Sequence, residues 1–216
     1  MALAKGNYKS IPEGAVVLSE NEAVRYQREF IYKWPNWVQG FPLKLGPHLL
    51  GVASACCGIF YNNYYRRRLR LFHIGRVVSY LPVCFLPATL SAVMHAEAIQ
   101  RPIILLKADV CPVCLEVKAG LLQAALGFLL PFLLAPTGSM ALAHQSGCYN
   151  MPQITQRPTE AIQFYKKLLK PIGSISWKIC AGQALLASFM TYLEARAMLQ
   201  INKELHDEEK SGELLL

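Results

Sequence analysis

Charge is scarce in this sequence: only 17% of its 216 residues are Asp, Glu, Lys or Arg, where a soluble domain carries about 25%. The shortfall is concentrated in apolar stretches close to the roughly 20 residues a helix needs to cross a bilayer. With 53% hydrophobic residues and a mean hydropathy of +0.26, an ordinary soluble domain is excluded, and the length leaves room for one compact membrane domain with short flanks. Acids are scarcer than bases, 14 against 22, giving a net charge of +8. The bases do not alternate with aromatics along a groove, so nucleic acid is not an expected partner. They sit beside the apolar spans, where they orient a membrane protein and meet anionic headgroups.

Other absences narrow the chemistry. Low-complexity tracts, paired transporter-like repeats and a Gly-rich phosphate loop are all missing. Ser, His and Asp do not recur at a spacing that suggests a nucleophilic triad. Met1 to Ile11 is polar and acids follow at Glu13, Glu20 and Glu22, so neither a secretory signal nor an acid-poor mitochondrial presequence is expected. Mitochondrial targeting, if it applies, would be internal. The cysteine count of seven is odd, against a fully paired secreted framework. Cys56, Cys57, Cys84 and Cys180 fall in apolar spans, where cysteine behaves as a small hydrophobe; Cys111, Cys114 and Cys148 lie in connections.

What is present reads as an all-α integral membrane four-helix bundle with a short N-terminal amphipathic helix. The flank covers residues 1–45, the membrane domain 46–200 and an acidic tail 201–216. In the flank, Pro12 and Gly14 break the lead, and Ser19 with Glu22 fits a capping box. Tyr26, Phe30 and Ile31 then mark a helix to about Lys33, which could lie on the membrane, on a partner or on the protein's own helices. Trp34, Trp37 and Phe41 suit an interface. Spans are expected at about 46–64, 74–96, 115–135 and 171–193. Pro82 and Pro87 should bend the second, Pro131 and Pro136-Thr137-Gly138 should end the third, and Lys178 could snorkel from the fourth. The tail from Asn202 is expected to fray.

The loop after span one carries Arg66, Arg67, Arg68 and Arg70 without an acid. The loop before span four carries Arg157, Lys166, Lys167 and Lys170 against Glu160. Four spans put both loops on one side, and the positive-inside rule makes that side cytoplasmic or matrix. Both termini and the Cys111–Cys114 loop would face the other compartment.

Cys111-Pro112-Val113-Cys114 could be a local disulfide, an inert reduced pair, a redox dithiol or half of a zinc site. No second C-x-x-C completes a zinc site, and the setting is not thioredoxin-like. The span centres lack Asp, Glu, Lys and Arg, against proton relay or coupled transport. Gln123 and Gln183 should bond between helices. Small residues recur four apart as Gly51 with Ala55, Ser54 with Gly58, Gly120 with Ala124, and Ala184 with Ser188. These faces suit close helix packing, inside the bundle or against a partner, with spans one and four as the candidate partner surface. No catalytic centre, cofactor or metal is expected.

The order of these features resembles the transmembrane protein 126 family. Carrying the resemblance are a small-residue first span closed by Arg66-Arg67, the C-x-x-C loop and a third span with a late proline. Leu142-Ala143-His144-Gln145-Ser146 leading to Pro152, and Lys170-Pro171 opening the fourth span, complete it. It covers about residues 46–200, and the C-x-x-C brings it nearer the family's A branch than its B branch. The resemblance implies a mitochondrial inner-membrane assembly factor for respiratory complex I. Its partners would be membrane-arm subunits or intermediates, other assembly factors and the lipid bilayer. Basic loops would face the matrix, and Cys111 and Cys114 the disulfide-permissive intermembrane space. A membrane thiol oxidoreductase using that pair is the alternative.

Overall fold

The computed structural model describes residues 17–107, 111–147, 163 and 166–211, with side chains as far as Asp207. The lead with Pro12 and Gly14, Asp109, Cys148, Arg157, Glu160 and the final Leu214 to Leu216 lie outside the described residues. Every regular element among those described is helical.

Helix α1 spans Glu20–Lys33, and the capping box forms. The Ser19 N–H donates to the Glu22 carboxylate at 2.8 Å and the Glu22 N–H to the Ser19 hydroxyl at 3.4 Å, satisfying two helix-end donors. Its apolar side, Val24 and Ile31, is buried on the protein's own helices, where Ile31 joins the core with Leu43, Ile99 and Ile201.

Four long helices follow. Helix α2 is Trp37–Arg68, α3 Arg76–Ile104, α4 Pro112–Ser146 and α5 Gly173–Ser211, entered through a 3-10 turn at Lys170–Ile172. Three of them, α2, α3 and α4, are long and apolar enough to cross a membrane. Helix α5 is long but carries more charge, so its crossing is not fixed by length and composition.

The helices outrun the expected spans because proline does not stop them. In α3, Pro82 lies within a π-helical stretch, Leu81–Phe85, and Pro87 just after it. A second π stretch covers Ala96–Gln100. In α4 a π stretch at Ala124–Leu129 immediately precedes Pro131. The wider turn makes room for the ring, and such breaks are tolerated inside a helical membrane domain. Thr137 donates to the carbonyls of Leu133 and Leu134 at 2.9 and 3.1 Å. The helix itself does not stop at Pro136-Thr137-Gly138, where span three was expected to end: α4 runs to Ser146, and Gly147 takes a left-handed φ of 64°. The fraying expected from Asn202 is also displaced, because α5 stays helical to Ser211.

Helix α2 is the central strut and packs on α3, α4 and α5. One end gathers Ile31, Leu43, Ile99, Ile103, Leu115 and Ile201; the other gathers Tyr61, Tyr65, Val83, Ala135 and Ile172. Successive long helices therefore run antiparallel.

Candidate functional site

The small residues meet across helix pairs within the chain. A methyl group added at Gly58 would lie 2.3 Å from the Val83 carbonyl, and one at Gly51 2.9 Å from the Ala88 carbonyl. The Val83 carbonyl is the one that Pro87, four residues on and without an N–H, cannot engage, and it lies against Gly58. At Gly120 an added methyl would meet the Ser188 hydroxyl at 2.9 Å and the Ala184 carbonyl at 3.2 Å, so the α4 and α5 small faces pack on each other. Ser54 is fully buried, while Ala55 and Ala124 are half-buried. The expected partner surface on spans one and four is therefore occupied from within.

Two polar layers cross the packed helices. In the first, each long helix contributes one side chain: Ser54, Ser91, Gln123 and Gln183. The Gln123 amide donates to Ser54 Oγ at 3.0 Å, the Leu50 carbonyl at 3.1 Å and Gln183 Oε1 at 2.8 Å. Ser91 donates to Gln123 Oε1, and Gln183 to the Ala53 carbonyl at 2.9 Å. The expected Gln123 and Gln183 bonds are present. Such bonds average on the order of 0.6 kcal/mol in membranes, so their larger effect is to fix the rotation of four helices about one level.

The second layer was missed by the sequence reading. Glu194 is 0% exposed and His95 1%, and their side chains meet at 3.0 Å. Gln100 donates to Glu194 Oε1 at 3.3 Å and to the Leu43 carbonyl at 2.7 Å. Gly46 leaves room for the carboxylate, since a methyl there would lie 2.3 Å from Glu194 Oε1. The span centres hold no charge, as the sequence shows, but an acid is buried among the packed helices one residue past the expected end of span four.

Cys111 and Cys114 are exposed and free. Cys111 is the N-cap of α4 and Pro112 its first residue. The Cys114 backbone N–H, followed by the Cys114 thiol, lowers the Cys111 pKa, although no capping hydrogen bond of normal geometry forms. An electropositive, accessible helix start favours thiolate.

The two basic segments share an end: Leu168, Leu169 and Ile172 pack with Tyr61 and Tyr65. Their members differ in role. Arg66 is 4% exposed and turns inward. It donates to the carbonyls of Phe72 and Ile74, both at 2.8 Å, and to Ser79 Oγ at 2.9 Å. These bonds hold a loop with left-handed backbone at Arg70, Phe72 and Gly75. Arg67, Arg68, Arg70, Lys166, Lys167 and Lys170 are exposed.

Large apolar side chains stay exposed on all four long helices, among them Val52, Phe85, Leu121 and Leu185. Half of the most apolar stretch of α2 is buried within the protein, against 33% for α4 and 22% for α3. Val78, Leu81, Phe85 and Val93 line the open side of α3.

Three comparisons bear on this arrangement. A family model described as Transmembrane protein 126 matches residues 34–210. A Drosophila melanogaster protein named Transmembrane protein 126 is 35% identical over 191 residues, which cover 88% of this chain and 86% of that one. No solved structure matches.

Proposed function

The chain belongs to the transmembrane protein 126 family, and from that premise we propose that it is a mitochondrial inner-membrane assembly factor for the membrane arm of respiratory complex I. It holds subunits or intermediates by lateral helix docking and does not act by catalysis. The complex I assignment and the compartment come from the family resemblance. One structural observation carries the docking mechanism: α3 is long, apolar and only 22% buried over its most apolar stretch. With little hydrophobic drive between helices in lipid, docking rests on shape and van der Waals contact, and an uncovered helix side offers both.

Four crossings fit this reading. The antiparallel packing places α5 beside α2 and α4, with its acid matched by His95 inside the packing. The basic end faces the matrix, and α1 with Cys111 and Cys114 faces the intermembrane space.

The exposed dithiol favours a second reading, a thiol oxidoreductase. The Cys111 thiolate would attack a partner's disulfide and release one partner thiol. Cys114 would then attack the Cys111 sulfur of the mixed disulfide, releasing the second thiol and leaving a Cys111–Cys114 disulfide.

One complementation experiment separates the two. Cells lacking the protein should lose mature complex I on native gels, and re-expression should restore it. The C111S/C114S double variant should restore it equally. Normal complex I without the protein contradicts the assembly reading, and failure of the double-serine variant at normal abundance favours the dithiol.

A further inference from the structure

We propose that the groove at the basic end of α2 binds the phosphate-bearing headgroup of an anionic phospholipid. The site rests on the membrane reading and is independent of the complex I assignment. The groove, of about 510 Å³, is lined by Phe60, Asn63, Tyr64, Arg67 and Arg68. This spacing of three and four places all five on one face of the helix.

The donors on this face are unspent. Arg67 and Arg68 are exposed, and neither pairs with a carboxylate among the described residues. Their neighbour Arg66 is the contrast, with its guanidinium consumed by loop carbonyls and Ser79. Arg68 sits over the Tyr64 ring at 5.5 Å, which restrains the guanidinium while leaving its N–H edges open. Asn63 accepts a hydrogen bond from the Tyr80 hydroxyl at 2.6 Å, an arrangement that leaves its amide N–H groups to donate. The Tyr64 hydroxyl is buried and has no hydrogen-bond partner among the described residues, so Tyr64 offers the groove its ring and not a donor.

Two guanidinium groups beside neutral donors suit a phosphate, which takes several donors at once. A lipid is favoured over free phosphate by Phe60, one turn deeper into the apolar part of α2 and 40% exposed. It offers an acyl chain a wall directly below the headgroup. The site also lies where the aromatic and basic residues that mark a membrane interface succeed one another.

Full-length protein in detergent, titrated with phosphatidylglycerol, phosphatidylcholine or inorganic phosphate and read by native mass spectrometry, tests this. The wild type should retain phosphatidylglycerol at about thirtyfold lower concentration than phosphatidylcholine, as two nearby cations imply, and inorganic phosphate should not displace it. R67Q/R68Q should abolish the preference, and K166Q/K167Q, with the same loss of charge at the same end, should keep it. If the double variant does not fold, R67Q and R68Q singly must each weaken the preference. Four results would overturn the site: no headgroup preference in the wild type, equal loss in K166Q/K167Q, an unchanged preference in the Arg67 and Arg68 variants, or displacement by inorganic phosphate.

Discussion

Gly58 and Gly182 both lie within long helices, yet their surroundings are opposite. An added methyl at Gly58 meets the Val83 carbonyl at 2.3 Å, and at Gly182 it meets nothing within 4 Å. G58A should therefore force α2 from α3 and cost about 1–3 kcal/mol, as overpacking does. G182A should be neutral or gain about 0.5–1 kcal/mol from helix propensity. Thermal unfolding in detergent reads the difference, and equal midpoints would refute the contact. At the same scale, E194A should leave His95 unpaired and Gln100 with only the Leu43 carbonyl, at a cost of about 1–3 kcal/mol, whereas E194Q keeps a partner for both and should lose less. An E194A protein as stable as wild type would show that the layer is not coupled.

The two polar layers were unequally legible. Gln123 and Gln183 are polar residues inside apolar runs, and only a neighbouring helix could satisfy them, so their bonding followed from the sequence. Glu194 was hidden because it follows an apolar run directly, where a charge normally marks the exit to water. Its partner is 99 residues away, a separation no local pattern spans. Arg66 was hidden among like neighbours: the basic run is one signal to the topology rule, and only the loop geometry separates the inward arginine from Arg67 and Arg68.

At the scale of elements, α1 is tied to the end of α3 by charge as well as by Ile31. Lys107 meets Glu20 at 2.8 Å, Arg101 meets it at 3.4 Å and Arg28 meets Glu97 at 3.0 Å. The Glu20 pKa is lowered, first by its hydrogen bond with Lys107 and then by the Lys107 charge. Its stabilising contribution is complete above the ordinary carboxylate value and is lost as the pH falls through the lowered one. Protection factors for amide exchange over residues 20–33 should therefore fall in acid, and E20Q should reproduce part of that fall at neutral pH. Equal protection in both would contradict the tether. The sequence offered three sites for α1, the membrane, a partner or the protein itself, and could not choose. The choice depends on Glu97, Arg101 and Lys107, which approach α1 only once α3 is folded. The prolines taught a similar lesson. Pro131 and Pro136 read as stops, but a π stretch precedes Pro131 and the helix continues through Pro136 to Ser146.

For the whole molecule, the all-helical class and the apolar spans were legible because a run of about 20 uncharged residues has few other uses. The direction of use was not. Small residues four apart mark close packing but do not name the partner, and here each face is taken by another helix of the same chain. The docking side proposed here is α3, where large side chains such as Phe85 and Val93 remain uncovered.

That reassignment is the account's central claim, and site-specific photocrosslinking tests it directly. A photoreactive residue at Val78, Phe85 or Val93, introduced into the protein in intact mitochondria, should capture membrane-arm subunits or assembly intermediates of complex I. The same probe at Gly51 or Ala184 should capture only the protein's own helices. Complex I adducts from the α2 or α5 positions, with none from α3, would contradict the account.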